Sequence, residues 1–127
     1  MSVIAWDGKT IAADRQGTCG DLRVRSTKIK RLKNGDVVAW TGEHSAGQIL
    51  AEWYSEGEDP LKWPSFQAGE NWCRLIVASK GRVWMYEGLP ARTYVEDHFA
   101  AWGSGRDFAL GAMGMGANAV KAVKVAS

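Results

Sequence analysis

The chain has little that would build a metal centre, a membrane anchor or a nucleic-acid surface. It contains two cysteines, Cys19 and Cys73, two histidines, His44 and His98, and three prolines. The cysteines form no CxxC pair and neither stands at a ligand spacing from a histidine. No metal and no cofactor is therefore expected, and both cysteines read as reduced thiols. No apolar run approaches the roughly 20 residues that a membrane span needs, and no charged-then-apolar leader precedes the first strand pattern. The net charge is only +2, too small for a field that gathers nucleic acid or a lipid surface. The one basic stretch, Arg23 to Lys33, alternates as a strand with one solvated face does. These features predict a cytoplasmic protein that works without nucleic acid or membrane.

What is present is an ordinary globular composition. The 127 residues are 46% apolar and 24% charged, which fits one domain spanning residues 1–127. Seven tryptophans are read as core. Val3 to Trp6 and Thr10 to Ala13 flank Asp7-Gly8, a strong hairpin signal. Asp14 to Asp21 reads as a polar loop, Leu22 to Leu32 as a strand, and Lys33 to Asp36 as a tight turn before the buried strand Val37 to Trp40. A helix starting at Glu43 or Ser45 has Ala46, Ile49, Leu50 and Trp53 as its apolar stripe. Gly57 to Gly69 reads as a loop with at most a short helical turn. Trp72 to Ser79 and Arg82 to Tyr86 form a second hairpin, Arg92 to Val95 and His98 to Trp102 are short strands, and Asp107 to Val125 reads as one long helix. Hairpins in place of βαβ crossovers argue for an α+β fold with antiparallel sheets and helices layered on them.

Ser2 is the first candidate for chemistry. Removal of Met1 would give it a free α-amine with an unperturbed pKa of about 7.7–8.0, so one residue would supply both nucleophile and base. Such a site also needs a cation, a carboxylate to hold that cation, and backbone N–H groups for the oxyanion. Asp14 ends the second strand, Lys28 lies in "TKIKRL", and Gly42 follows "VVAW" where a free N–H can point at a ligand. Taken singly, Asp14 reads as a turn residue and Lys28 as a solvated one. Lys30 shares a strand face with Lys28 and is the second choice for the cation.

The segments "SVIAWDGKTIAAD", "TKIKRL", "VVAWTGEHSAG" and "AWGSGRDFALGAM" occur in the order, and near the spacing, of the proteasome β-subunit family. The chain resembles HslV-type peptidases and their short phage-borne relatives. That resemblance implies an αββα sandwich with the family's second long helix shortened to a loop. It also implies an N-terminal-nucleophile hydrolase that cleaves peptides or unfolded proteins as a homo-oligomer, in the family a ring, sometimes with an ATPase partner. By the same resemblance Ser2 is the nucleophile, Asp14 and Lys28 are its ion pair, Gly42 is the oxyanion donor, and Ser104 of "GSG" lies near the amine. The chain ends at Ser127, before the strands that in the family bring an Asp and a Ser to the amine.

Three other readings compete. The same fold can serve as a catalytically inactive binding or assembly protein. "GSGRDF" can be a phosphate-binding turn, although Phe108 replaces the third glycine and the unit is not βαβ. Cys19 or Cys73 with His44 or His98 can form a Cys–His hydrolase, although nothing in the sequence brings a histidine to either thiol.

Overall fold

The computed structural model describes residues 3–19, 22–25, 27–64 and 73–127. The chain forms two compact units, one from Met1–Ile29 with Asp97–Ser127 and the other from Lys30–Glu96.

In the first unit, strands β1 (Ile4–Trp6) and β2 (Ile11–Ala13) are the expected hairpin, with Ile4 opposite Ala13 and Trp6 opposite Ile11. Asp7 shapes the turn: its Oδ1 accepts from Lys9 N at 3.0 Å and Thr10 N at 2.8 Å. Gly8 has φ +97°, and a Cβ there would lie 3.2 Å from the His98 carbonyl oxygen. Glycine is the residue that this close approach and left-handed backbone select. Asp14 to Asp21 was expected to be a loop. Residues within it instead pair as β3 (Gln16–Cys19) with β4 (Leu22–Arg25). The single strand expected over Leu22 to Leu32 is accordingly two, β4 and β5 (Ile29–Arg31), in different sheets. Late in the chain, β10 (Ala100–Trp102) pairs with β1 and completes a three-stranded antiparallel sheet.

Val3 and Ala5 of that sheet pack against Ala109 and Met113 of α2 (Arg106–Gly114) and Ala119, Ala122, Val123 and Ala126 of α3 (Ala119–Ala126). The one long helix expected here is two. Gly116, at φ +100°, stops α2: Gly116 N donates to Met113 O and Ala117 N to Ala112 O, the paired bonds of a glycine C-cap. Asn118 then caps α3, its side chain accepting from Lys121 N at 2.9 Å. Asp7 Oδ2 accepts from Ala119 N at 2.8 Å, so one carboxylate ties the first turn of the sheet to the last helix.

The second unit is a five-stranded sheet in the order β5-β6-β7-β8-β9, with β6 (Val37–Gly42), β7 (Cys73–Ser79), β8 (Arg82–Tyr86) and β9 (Thr93–Tyr94) antiparallel. Lys80 and Gly81 both take positive φ in the two-residue turn joining β7 to β8, the turn whose twist suits a hairpin. Val38, Trp40, Leu75, Val77, Trp84 and Tyr86 alternate onto one face and bury against α1 (His44–Ser55). Trp53 meets Trp63 and Tyr86 edge-on, at 4.8 and 5.1 Å between ring centroids. Of the two expected starts of helix α1 the first is observed: Glu43 is the cap, its carboxylate accepting from Ala46 N at 2.6 Å.

The buried stripe of α1 differs from the expected one. Ile49 is 46% exposed, and Gly47, Ala51 and Tyr54 are buried with Ala46, Leu50 and Trp53. The cause is the close approach of Gly47 to Trp40, where a Cβ would sit 2.2 Å from the indole Cδ1. The bare glycine lets the helix roll its 47–51–54 side onto the sheet. Among its described residues, the segment after α1 holds a 3₁₀ turn, Pro60–Lys62, capped by Asp59. The rest of the shortened-helix segment, and Trp72 with it, falls in residues 65–72, outside the described residues. Each unit thus layers helices on an antiparallel sheet, three-stranded in the first and five-stranded in the second, and the first adds the two-stranded β3–β4 pair; the α+β composition is the one that the sequence predicts.

Two stability outcomes follow from these contacts. Burial raises the Asp7 pKa, but backbone bonds from Ala119, Thr10 and Lys9 outweigh it and hold the carboxyl below its ordinary value. A depressed folded pKa contributes stability above the unfolded value of about 3.9, and that contribution is lost as pH falls through the folded value. Asp7→Ala should cost about 1–3 kcal/mol in urea unfolding at pH 7, and the gap from the unsubstituted protein should narrow below about pH 4. Gly47→Ala should cost at least about 1–3 kcal/mol through overpacking and should alter the near-UV tryptophan circular dichroism.

Candidate active site

Asp14 directly follows β2, and Lys28 directly precedes β5. The two are far apart in sequence, yet Lys28 Nζ donates to Asp14 Oδ1 at 3.1 Å. Both residues are 7% exposed. Lys28 is therefore not the solvated strand lysine that its pattern taken alone suggests. A buried ammonium persists only when it is paired, and removing one partner of such a pair costs about 3–5 kcal/mol. The alternative cation, Lys30, is exposed.

The same Asp14 oxygen accepts from Val3 N at 3.0 Å, while Asp14 N donates to Val3 O at 3.1 Å. Asp14 therefore holds both backbone polar groups of the residue next to Ser2, and it holds the ammonium as well. Ser2 itself lies outside the described residues. A buried, paired charge can tune a titratable group placed near it.

Gly42 ends β6 with φ +96°, opposite Cys73 in the register, and leads through Glu43 into α1. It belongs to the second compact unit, whereas Asp14, Lys28 and Ser104 belong to the first. Ser104 is exposed in the turn between β10 and α2, between Gly103 at φ +95° and Gly105, the N-cap of α2. Sequence reasoning missed two features. One is the double bond of Asp14 to the Val3 backbone. The other is a bond from Trp40 Nε1 to His44 Nδ1, at 3.1 Å, for which the four-residue spacing around Gly42 was the only available signal.

The competing chemistries find less support. Cys73 is fully buried, and burial first, then the charge of Glu43, pushes its thiol up to about 12. Such a thiol is inert as a nucleophile at neutral pH. His44 already accepts the Trp40 indole, and His98 is exposed. The strand before "GSGRDF" pairs antiparallel with β1 and Phe108 is 61% exposed, so the turn is not the βαβ phosphate cradle. Among the described residues, no three His, Cys, Asp or Glu side chains gather as a metal site, and no helix is long and apolar enough to cross a membrane.

No protein-family model and no curated protein matches the chain by sequence. Solved structures do match it. HslV from Trypanosoma brucei has a TM-score of 0.69 at 22% identity, covering 98% of this chain and 88% of that one. BPH from Thiobacillus denitrificans has a TM-score of 0.65 at 18% identity, over 99% of this chain and 87% of that one, and it has also been solved in complex with epoxomicin. Anbu, an ancestral β-subunit, from Yersinia bercovieri has a TM-score of 0.64 at 12% identity, over 94% of this chain and 67% of that one. Likeness at these identities speaks to fold, and function is argued from the site. The chain has the HslV- and proteasome-like N-terminal-nucleophile hydrolase fold.

Proposed function

We propose that the protein is an N-terminal-nucleophile peptidase that acts through Ser2 once Met1 is removed. The observation that carries this reading is the buried Asp14–Lys28 pair, whose shared oxygen also takes the amide of Val3, the residue after the nucleophile. In this reading Ser2 Oγ attacks the scissile carbonyl carbon while the Ser2 amine takes the hydroxyl proton. The Gly42 N–H receives the oxyanion. The tetrahedral intermediate collapses, the C–N bond breaks, and the proton passes from the ammonium to the leaving amine. Water, deprotonated by the same amine, then hydrolyses the acyl ester and releases the acid. Lys28 supplies positive charge that favours the neutral amine and the developing alkoxide. Asp14 holds Lys28 in place, and Ser104 orients the amine.

The substrate class is a peptide or an unfolded protein chain, and the working state is a homo-oligomer in the cytoplasm, with a ring as the form to look for. The description of the Anbu relative as a β-subunit supports assembly. The alternative, a non-catalytic member that binds or assembles, is what a correctly processed but inert protein would reveal.

Protein beginning at Ser2 should cleave a short peptide, and protein retaining Met1 should not, because a blocked amine is no base. Ser2→Ala should abolish cleavage. Lys28→Ala should lower it by at least about 10²-fold, and urea unfolding of the same variant separates lost chemistry from lost folding. Because the amine must be neutral, kcat/KM should rise with pH through about 7–8. Cleavage that survives Ser2→Ala, or that is equal with Met1 retained, would contradict the proposal.

A further inference from the structure

The turn that carries Gly42 is bridged by one side-chain bond. Trp40, two residues before Gly42 on β6, donates its indole Nε1–H to Nδ1 of His44, two residues after Gly42 and the first residue of α1. An accepting Nδ1 carries no proton, so the neutral ring bears its hydrogen on Nε2. The two rings lie 5.7 Å apart, centroid to centroid, tilted by 48°.

The indole has no freedom of its own to shift. It is 4% exposed, and its Cδ1 edge rests on the bare Cα of Gly47, one helical turn beyond His44. The helix end is anchored as well: the Glu43 carboxylate caps Ala46 N, and Gly47 N donates to Glu43 O at 3.0 Å. Between these anchored parts the backbone reverses at Gly42, where φ is +96°. Pairing opposite Cys73 holds Gly42 on its strand side, but a glycine at positive φ has wide conformational freedom, so a contact beyond it must fix the turn on its helix side. The bond spanning it from strand to helix has that role by position. If the acceptor were lost, the buried indole N–H would be left unsatisfied, and the strand-to-helix turn would move to find it a partner.

We propose that His44 is a positioning residue, its Nδ1 clasping Trp40 across Gly42 and thereby setting the orientation of the Gly42 amide. The catalytic consequence rests on the hydrolase reading above, in which that amide is the oxyanion donor. The clasp itself does not.

The test is a comparison of His44→Ala with His44→Asn in ¹⁵N-labelled protein. Asn places an acceptor oxygen near the position of Nδ1, whereas Ala places none. In the unsubstituted protein the His44 imidazole should show an unprotonated, hydrogen-bonded Nδ1. The Gly42 amide and Trp40 indole resonances should be displaced in His44→Ala and returned toward their original positions in His44→Asn. Peptide cleavage should show kcat lowered about 10-fold in His44→Ala with KM little changed, less than the 10²–10³-fold of losing an oxyanion donor outright. His44→Asn should recover most of that loss. A protonated Nδ1, an unmoved Gly42 amide in His44→Ala, or equal displacement in both variants would overturn the clasp. Absence of cleavage by every processed form, the unsubstituted protein included, would instead count against the hydrolase reading and leave the Gly42 resonance to judge the clasp.

Discussion

One carboxylate oxygen organises the start of this chain. Asp14 Oδ1 accepts from the amide of Val3 and from the ammonium of Lys28, and both residues of the ion pair are shielded from solvent. Desolvating two charges is costly, and a hydrophobic pair of similar size would often serve stability as well. An ion pair retained at such a place is better understood through what it positions. Here it pins the backbone of Val3 and holds the Lys28 ammonium on the same oxygen. The hairpin makes this possible: β1 and β2 pair so that the chain returns to Val3 at Asp14, and the Asp7-Gly8 turn sets that register.

The second unit solves a different problem. A helix must follow a strand with no linker, because Gly42 is the last paired residue of β6 and Glu43 is already the helix cap. Burial of Trp40 under α1 supplies the anchor, and Gly47 supplies the space for it. The roll of α1 that leaves Ile49 exposed is the geometric consequence. The helix is oriented by its contact with the indole, and the cost is an isoleucine left exposed. The packing of α1 and the geometry of the Gly42 turn therefore rest on the same set of contacts in this unit.

Much of this was legible in the residues. Asp7-Gly8 announces its hairpin, Glu43 its helix, and the pairing of Asp14 with Lys28 follows from motif order through the family resemblance. Other features were not legible, for physical reasons. Period-two alternation says which residues share a face but not which face is buried, so Lys28 taken alone looked solvated. Leu22 to Leu32 looked like one strand because no glycine, proline, asparagine or aspartate marks the break between two sheets, and only the shift of apolar positions from Leu22 and Val24 to Ile29 hints at it. Gly116 and Asn118 carried stop and start signals, but a glycine inside a helical pattern is also tolerated without a break. The α1 stripe went astray at Gly47, since a residue without a side chain adds nothing to a hydrophobic pattern and yet decides how near a helix can come. At the site, the role of Ser2 still rests on its neighbours.

The central claim is that those neighbours serve a nucleophile at the chain start. Epoxomicin, found bound to the BPH relative, is the direct probe. Protein beginning at Ser2 should be incubated with it, and the adduct located by intact mass and peptide mapping. The account predicts one adduct per chain, on Ser2, absent when Met1 is retained. No adduct on correctly processed protein, or an adduct on any other residue, would contradict it.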